Sequence, residues 1–320
     1  MEKLLWLDGL KGILCVLIVL YHYTARYTEL YGTSFPVAFK NGAEIGVCAF
    51  FIISGFLTLM TLRKLYENKW RWIVNKYLRL WVPYIVCITI TLVSLKIFGL
   101  PGRDNISLIQ VIGDIVMLPF VSGHIEGATW YVMSLIHFYI LIFLTSKQRI
   151  FENFWFHLIV AMIFICSPLF EFRFLDIATK VLGEFPLYWG GQMFLCQRDR
   201  RFLWLLIFEV LAMFFLDRAY VTVVVVIILF LLLSNNNYLR PIYYLLSERP
   251  LVKLGLYSYT WYLLHQNIGY MIMYHLTGIV PNWMLPLIAL FATLFLTISV
   301  EKVIKRFKTY IDKQIIILLS

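Results

Sequence analysis

Residues 7–27 read LDGLKGILCVLIVLYHYTARY and form the first apolar stretch of the chain. A helix of this length, at about 1.5 Å per residue, covers about 30 Å, which is the thickness of a bilayer's hydrocarbon core. The stretch therefore predicts a membrane-spanning helix. Its apolar run continues past position 20 and ends in aromatic residues rather than in a small-residue cleavage site, so it is not typical of a cleavable signal peptide.

The composition extends this prediction to the whole chain. Of the 320 residues, 61% are hydrophobic and 14% are charged, whereas soluble domains carry roughly 25% charged residues. Both a soluble core and a disordered chain are excluded, since disorder requires low hydrophobicity. The five cysteines are scattered singly, without a CxxC pair or a Cys/His cluster, so the sequence predicts neither a metal site nor a disulfide framework.

Spans long enough to cross a bilayer recur along the chain. We predict an all-α polytopic membrane protein with about ten transmembrane helices in one domain covering 1–320. The spans are 7–27, 44–62, 80–99, 129–146, 155–172, 181–196, 202–216, 219–234, 257–277 and 283–303. Segment 106–121 is moderately apolar but contains Asp114, so we interpret it as a long loop with room for a short interfacial helix.

Basic residues indicate the orientation. The net charge is +10, which in a soluble protein would suggest nucleic acid. Here Lys and Arg concentrate in every second short loop, as the positive-inside rule describes, so we expect no nucleic-acid partner. The pattern predicts an even number of spans, with the N- and C-termini cytoplasmic, in a multi-pass membrane protein.

Ionisable residues inside the first span are the most informative. Lys11 and His22 are eleven residues apart, close to three helical turns, so they share a face and are separated by about 16 Å along the axis. Arg26 continues this stripe four residues later. Lys11 alone is explained by snorkelling to the interface, and His22 alone by a satisfied buried histidine. Their joint spacing favours a functional site.

Other polar residues have the same two interpretations. Hydrogen bonding between helices is the commoner role for a polar residue inside or beside a span, and a site is the alternative. The candidates of this kind are Asp8, His124, Glu126, Trp130, His137, Glu184, Tyr259, His265 and Glu301. Ser54 and Gly55 fit either close helix packing or a channel for a ligand chain. Lys76 and Arg79, three residues apart, fit either the positive-inside rule or a phosphate.

Together these segments resemble the acyltransferase-3 family of integral membrane acyltransferases. Six segments carry the resemblance: Asp8 to Gly12 with His22, Phe50 to Phe56, the run with Arg79 and Pro83, Trp130 to Tyr139, Leu254 to His265, and Glu301 before a basic tail. The chain departs from the family pattern where Lys11 and Lys76 replace Arg. It also carries Leu135 and Ile136 where some relatives have a pair of Glu residues.

The resemblance implies transfer of an acyl group, usually acetyl, from cytoplasmic acyl-CoA to a hydroxyl of an extracytoplasmic or lipid-linked glycan. No tightly bound cofactor is expected; acetyl-CoA is a co-substrate. His22 is then the expected general base, with Arg26 or Glu126 orienting the acceptor or the imidazole. Basic Lys11, Lys76 and Arg79 are expected to hold CoA phosphates, while Ser54 and Gly55 line a channel for the pantetheine arm. Partners are thus acyl-CoA, a glycan and membrane lipids.

Two alternatives remain open at the level of sequence. A transporter or flippase of a glycan or lipid-linked sugar fits ten helices with buried charges equally well. The absence of an evident inverted repeat, and the concentration of polar residues in the matched segments, favour the enzyme. An inactive scaffold is the other alternative, suggested only by Lys11 in place of Arg. The sequence does not indicate an oligomeric state.

Overall fold

The computed structural model describes residues 5–103, 105–117, 125–166, 185–215, 219–233 and 237–319. In these ranges the regular structure is helical, with no strand longer than an isolated bridge. The helices are α1 (Leu5–Tyr21), a π-helical turn (His22–Arg26), α2 (Tyr27–Tyr31), α3 (Gly42–Leu59), α4 (Leu62–Glu67), α5 (Lys69–Phe98), α6 (Leu108–Val116), α7 (Trp130–Leu144), α8 (Phe154–Cys166), α9 (Phe185–Leu195), α10 (Arg201–Phe215), α11 (Ala219–Leu233), α12 (Arg240–Leu246), α13 (Arg249–Leu276) and α14 (Leu285–Leu319).

The all-α class is confirmed for the described residues. Each of the ten predicted spans overlaps at least one helix, although parts of four of them fall outside the described ranges. In the described ranges, four helical segments are long and apolar enough to cross a membrane: Leu5–Tyr31, Gly42–Leu59, Lys69–Phe98 and Asn282–Thr309. Shorter apolar helices accompany them, so the chain is a helical membrane protein; ten crossings stay a prediction.

The chain divides into two compact units. Unit 1 comprises Met1–Ala43, Tyr77–Met133 and Tyr243–Ser320, and unit 2 comprises Glu44–Lys76 and Ser134–Ile242. The single domain expected from the sequence stays a prediction.

Unit 1 is organised around the contact between α1 and α13. A Cβ atom added to Gly255 would lie only 1.6 Å from the carbonyl oxygen of Asp8. Only glycine permits the two backbones to approach this closely, as small residues do between membrane helices. Further along the same pair, the Cys15 thiol lies 3.4 Å from the Ser258 carbonyl. The face of α1 that carries its polar residues is therefore held against α13.

Unit 2 contains a similar backbone contact, between α3 and α9. A Cβ atom at Gly55 would lie 2.0 Å from the carbonyl oxygen of Leu187, and one at Gly190 would lie 1.9 Å from that of Ile52. Close helix packing, one of the two interpretations of Gly55, thus accounts for this glycine.

Helix α6 occupies the segment expected to hold a short interfacial helix. Ser107 and Gln110 form a capping box at its N-terminus. Leu108 and Ile109 are each 72% exposed, whereas Asp114 near its other end is buried. A short helix with one exposed apolar face suits the boundary between lipid and water.

Candidate functional site

A change in helical hydrogen bonding marks the position of His22. The five residues His22–Arg26 form a π-helical turn, in which the N–H of Tyr27 donates to the His22 carbonyl. Such turns occur frequently at functional sites. Thr24 supports the turn, because its hydroxyl donates to the Leu20 carbonyl at 2.6 Å and accepts the N–H of Phe39 at 3.0 Å.

The imidazole of His22 is half-buried and faces α13. Its Nδ1 atom lies 3.0 Å from the hydroxyl of Tyr270. Its ring packs edge-on against the ring of His265, with 4.9 Å between the ring centroids. The structure therefore brings together His22 and His265, which the sequence identified separately, and adds Tyr270 to them.

His265 is fully buried, and its contacts define its tautomer. Its Nδ1 atom lies 2.7 Å from the carbonyl oxygen of Tyr262. Because a carbonyl can only accept, Nδ1 carries the hydrogen and Nε2 carries the lone pair of the neutral ring. Within the described residues this Nε2 atom is buried without a hydrogen-bond partner. The backbone is fixed as well, since the Tyr23 hydroxyl donates to the His265 carbonyl at 2.8 Å.

Glu126, in the segment before α7, is also bonded to α13. It is fully buried, and its Oε2 atom accepts the backbone N–H of Asn267 at 3.3 Å. Asn267 in turn donates from Nδ2 to the Ile125 carbonyl at 2.5 Å, and the Ile125 N–H donates to Asp114 at 2.8 Å. These bonds attach the segment before α7 to both α13 and α6.

The charge state of Glu126 follows from its surroundings. Burial raises the pKa of this carboxyl to about 8, against the lowering effects of the Asn267 N–H and of the Arg103 charge; the nearby Asp114 raises it further. Glu126 is therefore mostly protonated at neutral pH. Its Oε1 atom is buried and has no hydrogen-bond partner in the described part of the chain.

The predicted basic residues of the first helix are paired. Lys11 Nζ lies 2.6 Å from the Asp8 carboxylate, and both side chains are largely buried. Arg26 makes a 2.6 Å ion pair with Glu29, which is more exposed. A phosphate or an acceptor would therefore compete with Asp8 for Lys11 and with Glu29 for Arg26.

Among the remaining candidates of unit 1, Tyr259 and Glu301 hydrogen-bond to residues other than His22 and His265. The Tyr259 hydroxyl donates to the Leu80 carbonyl at 2.9 Å. Glu301 accepts the hydroxyl of Thr260 and lies 3.9 Å from Lys305. Arg79 and Trp130 are exposed. His124 and Glu184 lie outside the described residues.

Unit 2 contains the other candidates: Ser54, Gly55, Lys76 and His137. Lys76 Nζ lies 4.8 Å above the ring of Tyr139 and 3.4 Å from the Thr58 hydroxyl oxygen. Its half-buried ammonium is thus stabilised by an aromatic face. Ser54 and His137 are half-buried, and the Ser54 carbonyl accepts the Thr58 hydroxyl at 2.6 Å. Their expected roles toward acyl-CoA stay predictions.

A comparison with protein families shows which family the chain belongs to. The family model described as an acyltransferase domain, acyltransferase-3, matches residues 4–302. The chain belongs to the acyltransferase-3 family. No curated protein and no solved structure is similar enough to this chain to be matched. The resemblance drawn from the sequence is thereby confirmed, and the substrates of this acyltransferase are a separate question.

Three polar residues of the acyltransferase were not selected from the sequence, although the structure shows that they bond within the helical units. Asn267 follows His265 by two residues, and this polar group inside an apolar span was a usable signal. Glu209, a carboxylic acid in the middle of α10, gave the same signal. Its Oε1 atom accepts a hydrogen bond from Gln192 Nε2 at 3.0 Å. Tyr270 gave no signal, because tyrosines are common in membrane proteins as interface anchors.

Proposed function

We propose that this acyltransferase moves an acyl group, acetyl in the simplest case, from cytoplasmic acyl-CoA to a hydroxyl of an extracytoplasmic or lipid-linked glycan. The observation that carries the proposal is the half-buried His22 imidazole, bonded to Tyr270 and packed on His265 in the contact between α1 and α13. A transfer reaction of this kind needs one group that accepts and returns a proton.

The proton can be followed atom by atom. In the tautomer in which Nδ1–H of His22 donates to the Tyr270 oxygen, Nε2 carries the lone pair. That nitrogen takes the proton of the acceptor hydroxyl as its oxygen bonds to the thioester carbonyl carbon. The imidazolium then gives the proton to the CoA sulfur as the carbon–sulfur bond breaks. No covalent acyl-enzyme is required.

The remaining parts of the proposal follow the orientation of the chain. Ten spans with both termini cytoplasmic, in a bacterial inner membrane, place Lys11 near the inner face and His22 about 16 Å deeper. Lys11 and Arg79 are the basic residues of unit 1 that we propose for the CoA phosphates. Arg26 and Glu126 are proposed to orient the acceptor or the imidazole.

The test uses the full chain in vesicles, with labelled acetyl-CoA supplied on the cytoplasmic face and acetate measured on the surface polysaccharide. We expect His22→Gln to lower transfer by about 10²- to 10⁴-fold, the usual contribution of a general base. His275→Gln is the matched control, because His275 is an exposed histidine of the same helix α13 whose Nε2 donates to the Phe98 carbonyl. The control should transfer normally.

Retention of transfer by folded His22→Gln would remove this residue from the mechanism. Movement of a glycan or lipid-linked sugar across the vesicle membrane without acyl-CoA would instead favour the transporter. The same vesicles answer both questions, since flux and acetylation are measured separately.

A further inference from the structure

The loop after α5 carries a basic residue, Arg103, that the sequence did not single out as a site residue. Gly102 adopts a positive φ of 77°, a conformation that favours glycine, and the Arg103 N–H donates to the Leu100 carbonyl at 2.9 Å. The Tyr31 hydroxyl contacts the Pro101 carbonyl at 3.4 Å. The turn therefore lies beside α2, just past the π-helical turn that begins at His22.

From this position the Arg103 charge reaches the candidate site. It acts electrostatically on the His22 ring, on the Tyr270 hydroxyl and on the Glu126 carboxyl. The side chain is half-buried, so its interaction with these groups is screened less than that of an exposed charge. Within the described residues, Arg103 makes no ion pair.

Arg26 provides the contrast. Its charge also acts on His22 and Tyr270, but Glu29 neutralises it at 2.6 Å. Glu126, on which the Arg103 charge acts, is mostly protonated at neutral pH because burial raises its pKa to about 8. Within the described residues, the Arg103 guanidinium is therefore not paired with a carboxylate.

Aromatic rings surround the same end of the helix pair. Tyr31 packs against Tyr27, Tyr270 and Tyr274, with ring centroids 4.7, 5.9 and 5.9 Å apart. Tyr274 is exposed and Tyr31 is half-buried. Partly exposed tyrosine rings present an apolar surface with a polar edge, which suits a sugar ring, and the Arg103 turn is attached to Tyr31.

We propose that Arg103 binds an oxyanion of the acceptor, a phosphate or a carboxylate attached to a sugar, and so holds an acidic glycan at the outer end of the α1–α13 contact. This inference rests on the proposed function for the presence of an acceptor. A guanidinium binds phosphate or carboxylate through two parallel hydrogen bonds. Arg103 is half-buried in a turn that contacts Tyr31, and so it lies beside the tyrosine rings at this end of the helix pair.

Calorimetric titration of the full chain in neutral-lipid nanodiscs tests the proposal. The probes are glucose 1-phosphate, glucuronate and the neutral methyl glucoside, which separate phosphate, carboxylate and sugar ring. We expect the wild type to bind at least one charged probe about tenfold more tightly than the glucoside, which is the contribution of one charge-assisted hydrogen bond. Arg103→Gln should abolish that preference and leave glucoside binding unchanged. Lys40→Gln removes an exposed cation of the same unit and should preserve the preference.

Equal binding of charged and neutral probes by the wild type, or an unchanged preference in Arg103→Gln, would overturn this inference. Acetyl transfer measured on the same preparations keeps the two proposals apart. Charged-probe preference without any transfer would contradict the proposed function alone, and transfer without an Arg103 effect would contradict the inference alone.

Discussion

The two units of this acyltransferase each contain a histidine packed among helices, but they surround its imidazole differently. In unit 2, His157 is fully buried and its Nε2 donates to the Phe151 carbonyl at 3.1 Å. Three aromatic rings, those of Phe156, Phe202 and Tyr188, lie within 6.2 Å of it by ring centroid. In unit 1, His22 is half-buried, bonded to a tyrosine hydroxyl and packed on a second histidine.

The difference shows that residue type alone does not identify a site in an apolar bundle. His157 is surrounded by aromatic rings, and in the same unit Gln192 donates a hydrogen bond to Glu209 at 3.0 Å. Around His22 the groups are titratable or charged, and within the described residues the cation Arg103 makes no ion pair. An enclosed histidine contributes packing and a hydrogen bond, whereas a partly open one with polar neighbours can exchange a proton with a ligand.

The largest difference between the two units is expected when a buried histidine is replaced by glutamine in each of them. His265→Gln should lower kcat by about a hundredfold, since it removes the ring that fixes the orientation of His22, and small misplacements of a reacting group have effects of that size. His157→Gln should leave kcat within about twofold while lowering the melting temperature, because it disturbs a buried hydrogen bond worth about 1 kcal/mol. Transfer per folded molecule and thermal unfolding in detergent measure both effects.

His265 is a positioning residue in this view, so kcat should fall with little change in the KM for acetyl-CoA. An equal loss of activity in the two variants would show that the units contribute equally to catalysis. A KM effect alone would move His265 to a binding role.

The second prediction concerns Glu126 and pH. Its folded pKa of about 8 lies above the ordinary value near 4.3, so the folded state holds a proton that the unfolded state has lost. The free energy of unfolding should therefore decline as pH rises from about 4.3 to about 8 and then level off. Glu126→Gln should flatten this part of the profile, as followed by melting temperature between pH 5 and pH 9.

Glu209→Gln is the corresponding variant of unit 2 and serves to compare the two buried carboxyls. A wild-type profile that matches Glu126→Gln throughout this pH range would show that Glu126 does not carry the extra proton.

The smallest expected effect tests the ion pair on α1. Asp8→Asn frees Lys11 from its 2.6 Å partner, so the KM for acetyl-CoA should fall by about two- to fivefold, the range expected from ion pairs of up to about 1 kcal/mol. The kcat should not change. Glu67→Gln, which frees Arg63 from an exposed pair, is the control. A rise in KM would mean that the Asp8–Lys11 pair itself shapes the binding site.

The fold could be predicted from the sequence to a large extent, because long apolar runs leave few alternatives to helices in a membrane. The loop segment with Asp114 was likewise identified, and a short helix is found there. The boundaries were less accurate: α5 begins at Lys69 and α14 continues to Leu319, well beyond the predicted spans. Charged residues mark where a helix leaves the apolar layer, and they do not mark where it ends.

The candidate site was predictable in part. Spacing along one helix identified Lys11 and His22, and the motif ending at His265 identified the second ring. Tyr270 and Arg103 could not be inferred, because their importance arises from contacts between segments far apart in sequence. Asn267, by contrast, carried a usable signal as a polar group inside an apolar span. The Tyr270 bond to His22 joins residues 248 positions apart. The ion pairs of Lys11 with Asp8 and of Arg26 with Glu29 were not predicted from the sequence either, although each pair is only three residues apart.

The wide turn at His22–Arg26 has a geometric consequence for the whole first helix. A turn of this type accommodates one residue more than a regular α-helical turn, and one residue corresponds to about 100° of rotation. The side chains of Leu5–Tyr21 and of Tyr27–Tyr31 are therefore offset by about one residue's rotation from those of a continuous α-helix. The first set follows the glycine contacts with α13, the second includes the packed tyrosine rings, and His22 lies at the junction between them.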